Sequence, residues 1–186
     1  VSARSWSRKS PAPIPAWRRW ELALPRPSGP LRRALRPRVG EVILEIGPGL
    51  GQEAVQIARW IGPNGRMHVL DVQQQMLNAT AARATRRGVT VVPRRTDGSE
   101  RLPYSDSHFD AVYLASVLGE IPEPAAMMTE LNRVLTPKGR LVIAEVAIDP
   151  DFVSFRRAHE LAEAAGFGSA HRYGPRFAYH AVFEKP

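Results

Sequence analysis

The residues best placed to do chemistry are a cluster of glycines and four acidic side chains around it. Gly47, Gly49 and Gly51 are spaced G-x-G-x-G, with Pro48 between the first two and Glu45 just ahead of them. Asp71 stands 20 residues after Gly51, and Glu120 and Glu145 come later. A glycine turn between a strand and a helix lets a nucleotide-like ligand approach the backbone at a helix N-terminus. An acid about 20 residues further on is placed to accept hydrogen bonds from a ribose hydroxyl pair. Glu145 ends an apolar run, where a carboxylate is costly unless it has a partner or a purpose. Glu145, Glu120 and, behind them, His180 are the side chains able to act as a general base.

These residues need a frame that brings them to one edge. Val42–Ile46 is apolar but for Glu45, as expected of a strand buried on both faces. The spacing predicts a helix over Gln52–Trp60, stopped at Gly62-Pro63-Asn64-Gly65, then a strand over Arg66–Leu70 closing at Asp71. A helix over Gln74–Arg87, with Met76, Leu77, Ala81 and Ala84 facing inward, leads to a short edge strand at Thr90–Pro93. A polar loop over 97–108 precedes a strand at Phe109–Leu114. A helix over Glu123–Leu135, a turn at Pro137-Lys138-Gly139 and a strand at Leu141–Val146 follow. The chain closes with a helix near Phe152–Ala165 and two strands, Ser169–Tyr173 and Phe177–Glu184, about Gly174-Pro175. This alternation calls for an α/β fold: a doubly wound, mostly parallel seven-stranded sheet with a terminal antiparallel strand. Ligands of such sheets bind beyond the strand carboxyl ends, where Glu45–Gly51, Asp71–Gln73, Asp97-Gly98, Ala115–Glu120 and Glu145 all fall.

Composition narrows the possibilities. The chain has 186 residues, 44% hydrophobic and 24% charged, which fits one globular domain with an appendage. It has no cysteine, which excludes disulfides, thiolate metal sites and a cysteine nucleophile. No apolar run reaches the roughly 18 residues of a membrane span, so a soluble, cytoplasmic protein is expected. The net charge of +8 is concentrated at one end: residues 1–40 hold ten basic residues against Glu21, and the remainder is close to neutral. Residues 1–39 are therefore set apart as a basic segment rich in proline, arginine and tryptophan, with a short helix expected over Ala16–Leu24 and another turn or two over Leu31–Arg36. Residues 40–186 are expected to form the domain. The segment reads as a solvated tail leading into a packed helix. Contact of residues 1–38 with nucleic acid or an anionic membrane, or a targeting remnant, are the alternatives.

The turn itself discriminates between ligands. A dinucleotide site calls for G-x-G-x-x-G, and the position of its third glycine is Gln52. Acidic Glu45 and Glu53 flank the turn, so a pyrophosphate would meet negative charge where an ammonium or sulfonium would be favoured. That chemistry suits S-adenosylmethionine better than a nicotinamide dinucleotide.

Glu45-Ile-Gly-Pro-Gly-Leu-Gly51 resembles the first motif of class I S-adenosylmethionine-dependent methyltransferases. Asp71 matches the acid after their second strand, and Phe109–Ala115 their fourth-strand motif. Glu130–Leu141 is similar to their entry into strand five, and Phe177–Lys185 to their closing antiparallel strand. The resemblance covers about residues 40–186 and is nearest the small-molecule branch that includes quinone C-methyltransferases. It implies that the backbone of Gly47, Pro48, Gly49 and Gly51 packs against the methionine moiety, with Glu45 near its ammonium. It further implies that Asp71 holds the ribose, Val72 lines the adenine pocket, Asp97 and Gly98 meet the adenine edge, and Ala115 and Ser116 border the sulfonium. Where many members carry two histidines after strand four, this chain has Gly119-Glu120.

The expected activity is methyl transfer from S-adenosylmethionine to a small organic acceptor, leaving S-adenosylhomocysteine. In-line displacement rests on proximity and orientation and needs no metal. Glu145 and Glu120 are the catalytic candidates. An RNA-directed enzyme or RNA-binding module using the basic arm, and a sensor that binds an adenosyl ligand without turnover, are the alternatives.

Overall fold

The computed structural model describes residues 28–99 and 101–186. In chain order the elements are α1 (Ser28–Leu35), β1 (Val42–Ile46), α2 (Gln52–Ile61), β2 (Arg66–Asp71) and α3 (Gln74–Arg86). They continue with β3 (Val92–Arg95), β4 (Phe109–Ala115), α4 (Pro124–Val134), β5 (Leu135–Val146), α5 (Phe155–Ala164), β6 (Ala170–Tyr173) and β7 (Ala178–Glu184). The strands form one seven-stranded sheet in the order β3-β2-β1-β4-β5-β7-β6. β1 to β5 run parallel, and β7 lies antiparallel between β5 and β6. The expected doubly wound sheet with its antiparallel closing strand is the one observed, and the strand order reverses between β1 and β4.

Strand alternation sorts the core into two layers. Ile43, Met67, Val69, Tyr113, Val142 and Val182 face α1, α2 and α3. Leu44, Leu114, Leu141, Ile143 and Phe183 face α4 and α5. Near-continuous apolar strands are what burial on both faces demands. The α1 helix buries Leu31, Ala34 and Leu35, the face its spacing predicts, and Arg36 leaves it in a left-handed conformation. The helix expected over Ala16–Leu24 lies outside the described residues.

Two strands differ from expectation. The edge strand is Val92–Arg95 rather than Thr90–Pro93, and all four residues are exposed. Pro93 is tolerated there because β3 pairs on one side only. β5 begins at Leu135, so Pro137–Gly139 is not a turn between elements but an irregularity within a strand. The β4–β5 register jumps between Phe109↔Leu135 and Ala111↔Arg140, and Lys138 adopts φ 62° to absorb the extra residues. The last helix begins at Phe155, three residues late, because the Ser154 hydroxyl accepts from Arg157 N at 3.3 Å and sets the N-cap there.

Candidate active site

β1 leads into three glycines in left-handed geometry, with φ of 69°, 52° and 74° at Gly47, Gly49 and Gly51. Two of them are needed for close approach as well as for φ. A Cβ on Gly47 would sit 2.5 Å from Val117 Cγ2, and one on Gly51 would sit 2.9 Å from Thr80 Cα. A Cβ on Gly49 would meet nothing within 4 Å. The turn is thus held at both ends and open at its tip. Its hydrogen bonds follow suit: Gly47 N donates to Leu70 O at 2.9 Å, Gly51 N to Pro48 O at 2.8 Å, and the Thr80 hydroxyl to Gly49 O at 3.2 Å.

Thr80 and Val117 are the parts of this turn that sequence reasoning missed. Thr80 is fully buried on the inner face of α3 with Met76, Leu77 and Ala84, where Ala81 is expected. A hydroxyl at that spacing in an apolar face was the available signal. Nothing local marks Val117, since its contact with Gly47 depends on the turn after β4.

Asp71 ends β2 on the same sheet face as Val69, and its Oδ1 accepts from Gln73 N at 2.8 Å. Burial raises its pKa to about 6, against the donors Gln73 and Val72 that pull it down. Thr96 N donates to Asp71 O at 3.1 Å and Arg95 Nε to Val72 O at 3.3 Å, so the chain beyond β3 lies against Asp71 and Val72. This brings Asp97 and Gly98 to the same rim. Asp97 is exposed and accepts from Ser99 N at 2.9 Å, and the Ser99 donors lower its pKa. Gly98 N is bonded to Thr96 Oγ1. Pro48 is buried and Val72 is half-buried.

Glu45, 1% exposed, stands between Val69 of β2 and Tyr113 of β4 in register, under the turn. Ala115 ends β4, and Ser116 follows with φ 52° and its N–H on Ala144 O at 2.9 Å. The cofactor candidates Glu45, Gly47, Pro48, Gly49, Gly51, Asp71, Val72, Asp97, Gly98, Ala115 and Ser116 therefore all sit at the carboxyl ends of β1 to β4.

The two catalytic candidates lie elsewhere along that edge. Glu145 alternates with Ile143 and so faces α4 and α5, across the sheet from α2. It is 1% exposed, accepts from Val153 N at 3.3 Å through Oε2, and its buried Oε1 has no hydrogen-bond partner among the described residues. Burial raises its pKa to about 7, and Asp149 and Glu120 push the same way. Tyr179, its register partner on β7, donates to Val153 O at 2.6 Å. Val153 is thus gripped at both its N–H and its carbonyl, holding the segment 147–154 down. The same segment approaches Gly119, where a Cβ would collide with the carbonyl of Asp151. Glu120 closes a single 3₁₀ turn, Leu118–Glu120, next to it.

His180 lies on the α2 side instead, in register between Ala144 and Tyr173. Burial lowers its pKa, and Glu53 in the first turn of α2 opposes that shift. An imidazole here stands across from the helix that the glycine turn opens.

The donor set fits an adenosyl sulfonium. The open tip at Gly49 admits a ligand to the backbone, and Asp71 is a buried carboxylate short of donors that a ribose diol can supply. Glu45 and Glu53 place negative charge beside the turn. Among the described residues no three His, Asp or Glu side chains gather as a metal site, and no helix is long and apolar enough to cross a membrane.

Comparison with known proteins agrees with this chemistry. Residues 43–139 match the family model described as a methyltransferase domain. The chain is 32% identical over 108 residues to the ubiquinone/menaquinone biosynthesis C-methyltransferase of Cupriavidus necator, covering 58% of this chain and 44% of that protein. It therefore spans less than half the length of this curated relative. Among solved structures it is similar to a SAM-dependent methyltransferase from Aquifex aeolicus, with a TM-score of 0.74 and 20% identity over 83% of this chain and 86% of that one. It is also similar to the cyclase SpnF, with a TM-score of 0.71 and 20% identity over 84% and 78% of the two chains. At such identities the structural likeness speaks for the fold alone.

Proposed function

This chain belongs to the methyltransferase-domain family, and on that premise we propose that it transfers a methyl group from S-adenosylmethionine to a small organic acceptor by in-line displacement. The observation that carries the reading is the convergence of the open glycine turn, Asp71 and the Asp97-Gly98 segment on one rim. Asp71, once ionised, accepts from the ribose hydroxyls. Val72 and Gly98 flank the adenine, and Glu45 sets the potential at the ammonium end. The cofactor supplies a sulfonium-activated methyl group; Ala115 and Ser116 border the place where it is presented.

The side of the sheet on which each candidate lies supports one of them for proton removal from the acceptor. His180 shares the α2 side with Glu45 and Glu53, whereas Glu145 faces the opposite side beneath segment 147–154. His180 is therefore the first candidate base, and Glu145 with Glu120 governs the segment that borders the acceptor space. The exposed side chains of Val146, Ile148 (89%) and Phe177 (66%) support an apolar acceptor. Ala147 N donates to Phe177 O at 2.7 Å, which brings the two exposed stretches together at the carboxyl end of β5. Given the name of the curated relative, quinol-type rings are the acceptors to try first.

Calorimetry with S-adenosylmethionine and S-adenosylhomocysteine, followed by product detection by mass spectrometry on a quinol panel, tests the reading. Saturable binding with methylated product supports it. Absence of binding at high micromolar ligand would sink it, and binding without turnover would point to an adenosyl-ligand sensor.

A further inference from the structure

A second cleft lies away from this rim, at the β3 edge of the sheet. Among its described residues the connection from β3 to β4 contains no helix, and α4 and α5 pack on β5 and β7. The β2–β3 part of that face is covered instead by side chains of the segment 102–108. Between them is a cavity of about 300 Å³, lined by His68, Arg94, Tyr104, Ser105 and His108 with the prolines beside them. That volume is at the small end of the range for small-molecule sites. His68 alternates with Met67 and Val69, which face the other layer, so it stands on the face opposite Asp71.

The walls are aromatic, and among the described residues the ionisable side chains of the lining are basic or aromatic, with no carboxylate. The His68 ring meets Tyr104, His108 and Phe109 edge-on, with centroids 5.7, 5.6 and 5.4 Å away. Arg94 lays its guanidinium 5.1 Å above the Tyr104 ring and donates to Pro103 O. Burial, then His108, Arg66 and Arg94, lower the pKa of His68 to about 4, and among the described residues no carboxylate acts on it. Neither Arg66 nor Arg94 forms an ion pair among the described residues. The Tyr104 hydroxyl is buried with no hydrogen-bond partner among them. A buried donor left without an acceptor is costly, and the described cations around it have no carboxylate partner.

We propose that this cleft is a binding site for a small planar carboxylate, an aromatic or heteroaromatic acid. Its anionic group meets Arg94 and the Tyr104 hydroxyl, and its ring packs against the edges and faces of His68 and His108. Such a ligand relieves both features at once, whereas a neutral ring leaves Arg94 uncompensated and a bare anion leaves the aromatic walls unfilled.

Benzoate is the probe, followed by the Cε1–Hε1 NMR signals of the histidines in the whole chain. Benzoate should move the His68 and His108 signals saturably, with half-saturation on the order of 1 mM for so small a ligand. It should also raise the titration midpoint of His68, because an adjacent anion favours the imidazolium. Benzamide, acetate and inorganic phosphate should bind at least about tenfold more weakly, the loss expected when a charge-assisted hydrogen bond or a ring contact is missing. Arg94→Gln and Tyr104→Phe should each weaken benzoate by about tenfold or more while their spectra remain those of the folded protein. Asp71→Ala should leave benzoate binding unchanged. The proposal is overturned if benzoate gives no saturable shift, if benzamide or phosphate binds equally well, or if folded Arg94→Gln retains full affinity. Loss of benzoate binding in Asp71→Ala, or its displacement by S-adenosylhomocysteine, would place the ligand on the cofactor rim and overturn it too.

Discussion

Arg140 holds both carboxylate oxygens of Glu41, at 2.9 and 2.8 Å, while its Nε donates to Leu35 O at 2.9 Å. Both side chains are buried. Glu41 also accepts from Arg38 N at 2.9 Å. The pair therefore ties the end of α1 to β5 and to the approach to β1, and an exposed bond from Arg36 to Glu184 lies alongside. The helix before the glycine turn is thus fixed to the sheet by polar geometry as well as by Leu31 and Leu35.

Removing one partner leaves a buried charge. Glu41→Ala is expected to cost about 3–5 kcal/mol, and Arg140→Met a similar amount. Glu41→Leu combined with Arg140→Met should recover much of that loss, because a well-packed apolar pair avoids the desolvation of two ions. Urea denaturation of the three variants measures this. Equal losses in the single and double variants would show that packing, not the stranded charge, sets the cost.

Asp71 should make cofactor binding depend on pH. Its pKa in the folded chain is raised to about 6, and ribose donors favour the ionised form. Affinity for S-adenosylhomocysteine should accordingly fall as pH drops below about 6. Stability runs the other way. The folded state binds the proton more tightly than the unfolded chain, so this group lowers stability as pH rises from about 4 to 6, and its penalty is complete above that. Asp71→Asn should therefore raise stability at pH 8 by on the order of 2 kcal/mol, while weakening S-adenosylhomocysteine by roughly tenfold or more through loss of charge-assisted bonds. Calorimetry and denaturation across pH check both halves, and pH-independent affinity would remove Asp71 from the ribose.

Gly47 and Val117 give a paired test of the turn. Gly47→Ala forces a Cβ against Val117 Cγ2 and places alanine at φ 69°. Overpacking and left-handed backbone together are expected to cost about 2–4 kcal/mol. Adding Val117→Ala should recover the steric part, leaving the backbone part of about 1–2 kcal/mol. A double variant no better than the single would mean that the turn needs glycine for conformation alone.

The sheet was legible because parallel strands buried on both faces leave apolar runs with sharp ends, and because Gly47–Gly51 and Asp71 are local signals. What escaped depended on partners distant in sequence. Pro137–Gly139 carries every local mark of a turn, yet Leu135 pairs with Phe109 and the strand runs through it. The side of the sheet that Glu145 faces follows from alternation along β5. That this side lies under Val153 follows only from the path of segment 147–154. The aromatic cleft at His68 was invisible for the same reason: Arg94, Tyr104 and His108 meet only once β3 has paired with β2.

His180 and Glu145 differ in what their replacement should do. If His180 takes the acceptor proton, His180→Gln should lower kcat by about 10²–10⁴-fold for acceptors that must lose a proton. It should also erase the acidic limb of the kcat–pH profile and leave S-adenosylhomocysteine affinity unchanged. Glu145→Gln keeps an acceptor for Val153 N and should leave that limb in place. Its effect should appear in stability. The pKa of Glu145 is raised to about 7, so in the parent protein this carboxyl lowers stability as pH climbs from about 4.5 to 7, and Glu145→Gln should flatten that slope. The pH–rate profiles decide between the two groups. An acidic limb that vanishes in Glu145→Gln and persists in His180→Gln would transfer the role of base to Glu145, and would require segment 147–154 to lift from Val153's two bonds during turnover.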